Sequence, residues 1–178
     1  MGDDAESPLG PLAWINTMLS SPNGDRVALK LAGYQFPGGT GDGYDDNWLF
    51  VDIQVTVDGE DWSVRDPCLL TWEANGLARW LDEIAQGNPT DPEFDFMEPA
   101  LVFELVDRDA RNTRLRVNLD PSPHQAPWLK RRGGTDTDFS IDVTVPHNVL
   151  AAVAKEIREN LALYPYRGPG PCPNYPMG

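Results

Sequence analysis

The stretch Asp45–Ala85, DDNWLFVDIQVTVDGEDWSVRDPCLLTWEANGLARWLDEIA, decides the fold class of this chain. Leu49, Val51, Ile53, Val55 and Val57 alternate with mostly polar residues, the period of a strand with one buried face. Asp58-Gly59 then supplies two residues that tolerate positive φ, as a two-residue type I′ hairpin requires. Trp62 and Val64 resume the alternation, and Asp66-Pro67 reads as the end of that strand. Thr71 stands where a helix N-cap belongs, with Glu73 favourably placed in the first turn. Leu77, Trp80, Leu81 and Ile84 share one helical face. Gly87-Asn88-Pro89 closes the helix by left-handed capping and a proline stop.

Upstream, Val27, Leu29 and Leu31 begin a strand ending near Phe36, and the Gly-rich loop Pro37–Tyr44 follows. Residues 1–25 are weakly patterned; Leu9, Leu12, Trp14, Ile15, Met18 and Leu19 suit a short amphipathic turn. Downstream, Phe94 and Phe96 alternate, with Glu93 and Asp95 on the opposite face. Leu101, Phe103 and Leu105 return through a polar loop as Leu115, Val117 and Leu119. After a long loop over residues 120–137, Phe139, Ile141, Val143 and Val145 form a last strand. Leu150, Val153, Ile157, Leu161 and Tyr164 form the apolar face of a second helix. From Pro165 the composition is that of a mobile or polyproline-like tail. No internal repeat is found. Hairpin-linked strands with only two helices predict an α+β fold, a curved antiparallel β-sheet with two amphipathic helices packed on it. The expected organisation is an N-terminal extension over 1–25, a single domain over 26–164 and a tail over 165–178.

Charge is the strongest global property. The chain of 178 residues carries 28 Asp plus Glu against 14 Lys plus Arg, a formal net charge of −14. Such a surface disfavours direct contact with nucleic acid and anionic membrane, and attracts a basic protein partner. No apolar run reaches the length of a membrane span. The N-terminus lacks the basic region and apolar core of a signal peptide, so a cytoplasmic location is expected. Cys68 and Cys172 are expected to be unpaired.

No pattern predicts a catalytic residue, a cofactor or a metal site. His124 and His147 have no catalytic or metal-binding spacing. The loop PGGTGDGYDD ends in Asp42, Asp45 and Asp46. It lacks the GK[ST] of a phosphate loop and the terminal glutamate of an EF-hand. A loose calcium site is the sharper reading of these carboxylates, and a mobile acidic loop the better one. They are also the candidate protein-binding residues, because they cluster and should face solvent. Trp48, Trp62, Trp72 and Trp80 read mostly as core rather than as sugar-stacking platforms. Arg108, Arg111, Arg114, Arg116 and Lys130-Arg131-Arg132 read as counter-charges to neighbouring carboxylates.

The hairpin-to-helix segment resembles the WapI-type immunity proteins and their uncharacterised bacterial relatives. The resemblance extends from about Val27 to Tyr164. It is strongest at Asn47-Trp48-Leu49 and at Leu69-Leu70-Thr71-Trp72-Glu73 with Leu77, Trp80 and Leu81. These positions are structural, and the resemblance transfers no functional residue. It implies a non-enzymatic, antitoxin-like protein of a bacterial cytoplasm that binds and neutralises a basic toxin of the nuclease class. Two alternatives stand beside it: a small binding module for a carbohydrate or other small molecule, and an enzyme with dispersed catalytic residues. A deep pocket with converging polar groups would favour the alternatives; a flat acidic face would favour the immunity reading.

Overall fold

Period-two alternation and two amphipathic helices yield an α+β arrangement whose strands divide between two sheets. The computed structural model describes residues 18–89, 91–119, 139–169 and 171–173. Strands β1 (Met18–Ser20), β2 (Arg26–Tyr34), β3 (Trp48–Val57) and β4 (Glu60–Leu70) form one antiparallel sheet in that order, and helix α1 (Thr71–Gln86) follows. Strands β5 (Glu93–Asp95), β6 (Leu101–Arg108), β7 (Asn112–Leu119) and β8 (Phe139–Pro146) form the second, again in chain order, followed by helix α2 (His147–Leu161). The topology therefore repeats, a four-stranded meander and then a helix, although the sequence contains no repeat.

The β3–β4 turn forms as its residues dictate, with φ of 51° at Asp58 and 79° at Gly59. The expected break at Asp66-Pro67 does not occur. β4 continues to Leu70, with Phe50 opposite Pro67 and Leu49 opposite Leu69, so that Cys68 is the extra residue of a bulge. β4 is the sheet edge, where a missing N–H costs no ladder bond and a bulge absorbs the proline. Met18 and Leu19, read above as part of an amphipathic turn, instead pair with Ala28 and Val27 as β1.

Thr71 is not the cap of α1. Leu70 holds that position with extended backbone, and its N–H donates to Glu73 Oε2 at 2.8 Å. This is half of a capping box, made without a Ser or Thr cap. At the other end, the Gly87 N–H reaches the Ile84 carbonyl and the Asn88 N–H the Glu83 carbonyl, a Schellman closure at the left-handed Gly87. Arg108 Nε also donates to the Ile84 carbonyl, at 3.1 Å, putting a cation at the negative end of the helix.

Leu77, Trp80, Leu81 and Ile84 are all buried, as their shared face predicts. The ring partners of Trp80 lie on the second sheet: Phe94 at 6.0 Å and Phe103 at 6.4 Å between centroids. The two helices pack on each other, with Arg158 paired to Asp82 at 2.5 Å. The Thr144 N–H of β8 donates to Ser21 Oγ, beside β1, at 2.7 Å, so one core serves both sheets. Leu150, Val153 and Ile157 bury the inner face of α2. Tyr164 lies beyond the helix and meets Tyr34 edge-on at 5.6 Å. Phe94 and Phe96 point inward while Glu93 and Asp95 face solvent. Both cysteines are free, and burial pushes the Cys68 thiol up to about 12, which makes it inert as a nucleophile.

Trp80 anchors α1 on the second sheet, and its Nε1–H donates to the Asp91 carbonyl at 3.0 Å. Trp80→Ala should lower the unfolding free energy by about 3–5 kcal/mol, read from urea midpoints at unchanged slope. A loss below about 1 kcal/mol would contradict this packing.

Candidate functional site

The loop between β2 and β3 is shaped by its aspartates. The Asp46 carboxylate accepts hydrogen bonds from the Thr40 N–H, from Thr40 Oγ1 at 2.9 Å and from the Gly41 N–H at 3.2 Å. These donors, the Thr40 N–H foremost, hold the Asp46 carboxyl below the usual carboxylate range. Asp42 Oδ1 accepts from the Tyr44 N–H at 2.7 Å and the Asp45 N–H at 3.3 Å, and so opens a single 3-10 turn over Asp45–Asn47. Both side chains compete for backbone donors that no ladder uses. Asp45 is exposed, and its carboxylate has no hydrogen-bond or ion-pair partner among the described residues. Asp42, Asp45 and Asp46 thus share one loop, with two of them engaged in its scaffold.

The next residue, Asn47, is fully buried and uses its whole hydrogen-bonding capacity. Its Nδ2 donates to the Gly43 carbonyl at 2.7 Å and to the Arg167 carbonyl at 2.5 Å. Its Oδ1 accepts from Thr71 Oγ1 at 2.9 Å and from the Arg167 N–H at 2.8 Å. Arg167 in turn donates to the Phe36 and Pro37 carbonyls and lies 3.4 Å from the Tyr34 ring centroid. The segment expected to be mobile from Pro165 is therefore held at Arg167 by side-chain chemistry.

Glu73 performs a second tie. It is buried, and its two oxygens accept the Leu70 N–H at 2.8 Å and the Met97 N–H at 2.7 Å. Desolvation pushes its carboxyl up more than these bonds pull it down. Met97 precedes β6, so Glu73 joins the start of α1 to the connection between β5 and β6.

Around these ties lies a row of aromatic rings packed edge-on. Tyr166 and Trp72 are 5.9 Å apart, Trp72 and Tyr44 5.5 Å, and Tyr44 and Trp48 6.2 Å. Trp48 and Trp72 are half-buried members of this row, unlike Trp80, which is in the core. Phe36, Tyr44 and Met97 are exposed, and the Tyr44 hydroxyl touches Met97 Sδ. Beside the row opens a cleft of about 420 Å³ lined by Gln35, Trp48, Asp66, Pro67, Glu98, Pro99 and Ala100. The face is therefore not flat.

His147 starts α2, and its N–H donates to the Arg111 carbonyl at 3.0 Å. His124, Lys130, Arg131 and Arg132 lie outside the described residues. Arg116 pairs with Asp142 at 2.8 Å, the counter-charge role its setting predicts. Among the described residues no group of three or more His, Cys, Asp or Glu is placed to hold a metal ion, and no helix is long and apolar enough to cross a membrane.

Residues 18–165 match the model of the immunity protein WapI-like family. The chain belongs to this family. Membership implies a toxin as binding partner. No curated protein and no solved structure matches the chain. The matched region spans all eight described strands and both helices, Asn47, Glu73 and the whole cleft. Tyr166 and Arg167 fall just outside it, so the clasp on Asn47 is completed by residues beyond the family region. Sequence reasoning missed Asn47, Glu73, Asp66, Glu98 and Arg167 as members of one locale. The available signal was weak: a polar Asn immediately before an apolar strand, and a Glu three residues after a cap position.

Asn47→Ala should cost about 2–4 kcal/mol, because it strands buried partners on three segments. It should also raise hydrogen exchange at the Arg167 N–H, which donates to Asn47 Oδ1; protection there equal to that of the wild type would disprove the clasp.

Glu73 and Asp46 should give opposite pH dependences. The folded Glu73 carboxyl titrates above its ordinary 4.5, so its contribution is fully present below that pH and falls as pH rises through the folded value. The folded Asp46 carboxyl titrates below its ordinary 3.8, so its contribution is present above that pH and is lost as pH falls through the folded value. Urea unfolding across the acid range should show Glu73→Gln flattening the first slope and Asp46→Asn the second. Unaltered slopes would contradict both assignments.

Proposed function

We propose that this chain is a non-enzymatic immunity protein that neutralises a basic toxin of the nuclease class by binding it in the cytoplasm. The observation that carries the reading is an immunity-family match over residues 18–165 in a chain of net charge −14. A nuclease must hold phosphates on a basic surface, and a strongly acidic protein is steered to such a surface. Steering gives speed rather than tight binding, which needs desolvated aromatic or aliphatic anchors. Tyr44, Trp48, Trp72 and Met97 offer such anchors beside the loop of Asp42, Asp45 and Asp46.

One observation favours a second reading. The cleft of Gln35, Trp48, Asp66 and Glu98 joins an indole to converging polar groups, an arrangement suited to a carbohydrate or other small molecule. Family membership makes it the lesser of the two.

The test of the first reading is kinetic. The partner to assay is an inactivated toxin, sought among the products of the genes neighbouring this one. Replacing Asp42, Asp45 and Asp46 by Asn should slow association more than it speeds dissociation. Asp45→Asn alone should slow it about two- to fivefold at low salt, with the effect fading as salt rises. An unchanged rate and salt slope in Asp45→Asn would remove this loop from the interface; no binding by the wild type would defeat the toxin reading itself.

A further inference from the structure

We propose that the cleft between the start of β3 and the β5–β6 connection seats an arginine side chain presented by the basic partner, its guanidinium stacked on Trp48 and paired with Asp66 and Glu98. The source of that arginine rests on the toxin-binding reading above; the chemistry of the seat rests on the cleft itself.

A volume of about 420 Å³ suits one long side chain with its water, not a chain segment. Trp48, Pro67, Pro99 and Ala100 give it apolar walls, while Gln35, Asp66 and Glu98 supply oxygen acceptors; no cationic side chain among the described residues lines it. Four carboxylates elsewhere are matched by arginines: Asp52 by Arg65, Asp61 by Arg26, Asp142 by Arg116 and Asp82 by Arg158. The carboxylates of Asp66 and Glu98 have no hydrogen-bond or ion-pair partner among the described residues. They form an acceptor set that no cation among the described residues satisfies.

The local field agrees. The Cys68 thiol, in the bulge next to Pro67, is pushed up first by burial and then by the charges of Asp66, Glu73 and Glu98. The surroundings agree as well: exposed Phe36, Tyr44 and Met97 and half-buried Trp72 belong to the same face, the aromatic and Met-rich composition of interface centres. Arginine is favoured over lysine because its planar fork pairs bidentately with carboxylates while its flat face stacks on an indole, whereas an ammonium is a strongly hydrated point charge with no flat face. The chain already holds one guanidinium in this style, Arg167 over the Tyr34 ring.

The experiment titrates the full-length chain at low salt with acetyl-Arg-Arg-Arg-amide, its lysine counterpart and a panel of oligosaccharides, following the Trp48 indole N–H by NMR. A second arm uses the inactivated toxin. The arginine peptide should move the Trp48 signal and bind more tightly than the lysine peptide. Asp66→Asn with Glu98→Gln should weaken it by about tenfold or more. A charge-matched control, Asp58→Asn with Glu60→Gln, lies at the far end of β3, about 20 Å from Asp66 along the strand, and should weaken it by less than about twofold. Glu98→Gln alone, at an exposed position, should give part of the loss and guards against misfolding of the double variant. Equal weakening by both double variants, a Trp48 signal unmoved at saturation, or movement by saccharide alone would overturn the proposal. If the toxin binds wild type and the cleft variant equally, the cleft is not its seat and the toxin reading stands. If the toxin fails to bind wild type while the peptide still discriminates, the seat stands and the toxin reading falls.

Discussion

The buried carboxamide of Asn47 is the constraint on which the candidate face depends. A fully buried primary amide is costly unless each of its donors and acceptors is met. Here the partners come from three places: the Gly-rich loop at Gly43, the first turn of α1 at Thr71, and the chain beyond α2 at Arg167. The amide orientation is fixed by the chemistry, since the flipped rotamer would set its oxygen against two carbonyls. No other side chain of similar size offers two donors and an acceptor in this geometry. Asp would repel the Gly43 and Arg167 carbonyls, and Leu would leave all the partners unsatisfied.

What was legible in the sequence was what local chemistry specifies. Asp58-Gly59 forms its turn because two adjacent residues accept positive φ, and Gly87 ends α1 for the same reason. The apolar faces of both helices were readable because burial repeats with the helical period. The errors arose where tertiary context outweighed local rules. Asp66-Pro67 looks like a strand breaker, yet at a sheet edge with a bulge it is tolerated. Thr71 looks like a cap, but its hydroxyl is claimed by Asn47 and the capping role passes to Glu73. The division into two sheets was hidden because alternation says which residues face a core, not which strands share a ladder. Arg167 was invisible for a similar reason: a Pro/Gly-rich segment cannot join a ladder, but side chains can still moor it.

The acidic residues divide by function in a way that composition cannot show. Asp42 and Asp46 shape the loop, Asp52 and Asp142 neutralise arginines, and Glu73 holds two backbone donors inside the protein. Asp45, Asp66, Glu93 and Glu98 remain with carboxylates unengaged among the described residues. The net charge of −14 sets the long-range field, which reaches about 8–10 Å at physiological salt. The unengaged groups can form new pairs at contact without first breaking old ones. Substitutions at Asp42 or Asp46 therefore mix loss of charge with loss of loop shape, whereas Asp45 changes charge alone.

The cleft sits where the two meander-and-helix units meet, and this location gives Glu73 its physical rationale. One wall comes from the first unit, at Trp48, Asp66 and Pro67; the other from the second, at Glu98, Pro99 and Ala100. Glu73 reaches from α1 of the first unit to the Met97 N–H of the second, one residue before Glu98. A hydrophobic residue at position 73 would avoid the desolvation of a carboxylate but leave the Leu70 and Met97 donors unpaired, each at a cost of about 1–3 kcal/mol. It would also free the segment that carries Glu98. The buried acid is thus retained at an electrostatic cost because it fixes the spacing between the walls. That spacing decides whether Asp66 and Glu98 can act on one cation together or only as two separate surface charges.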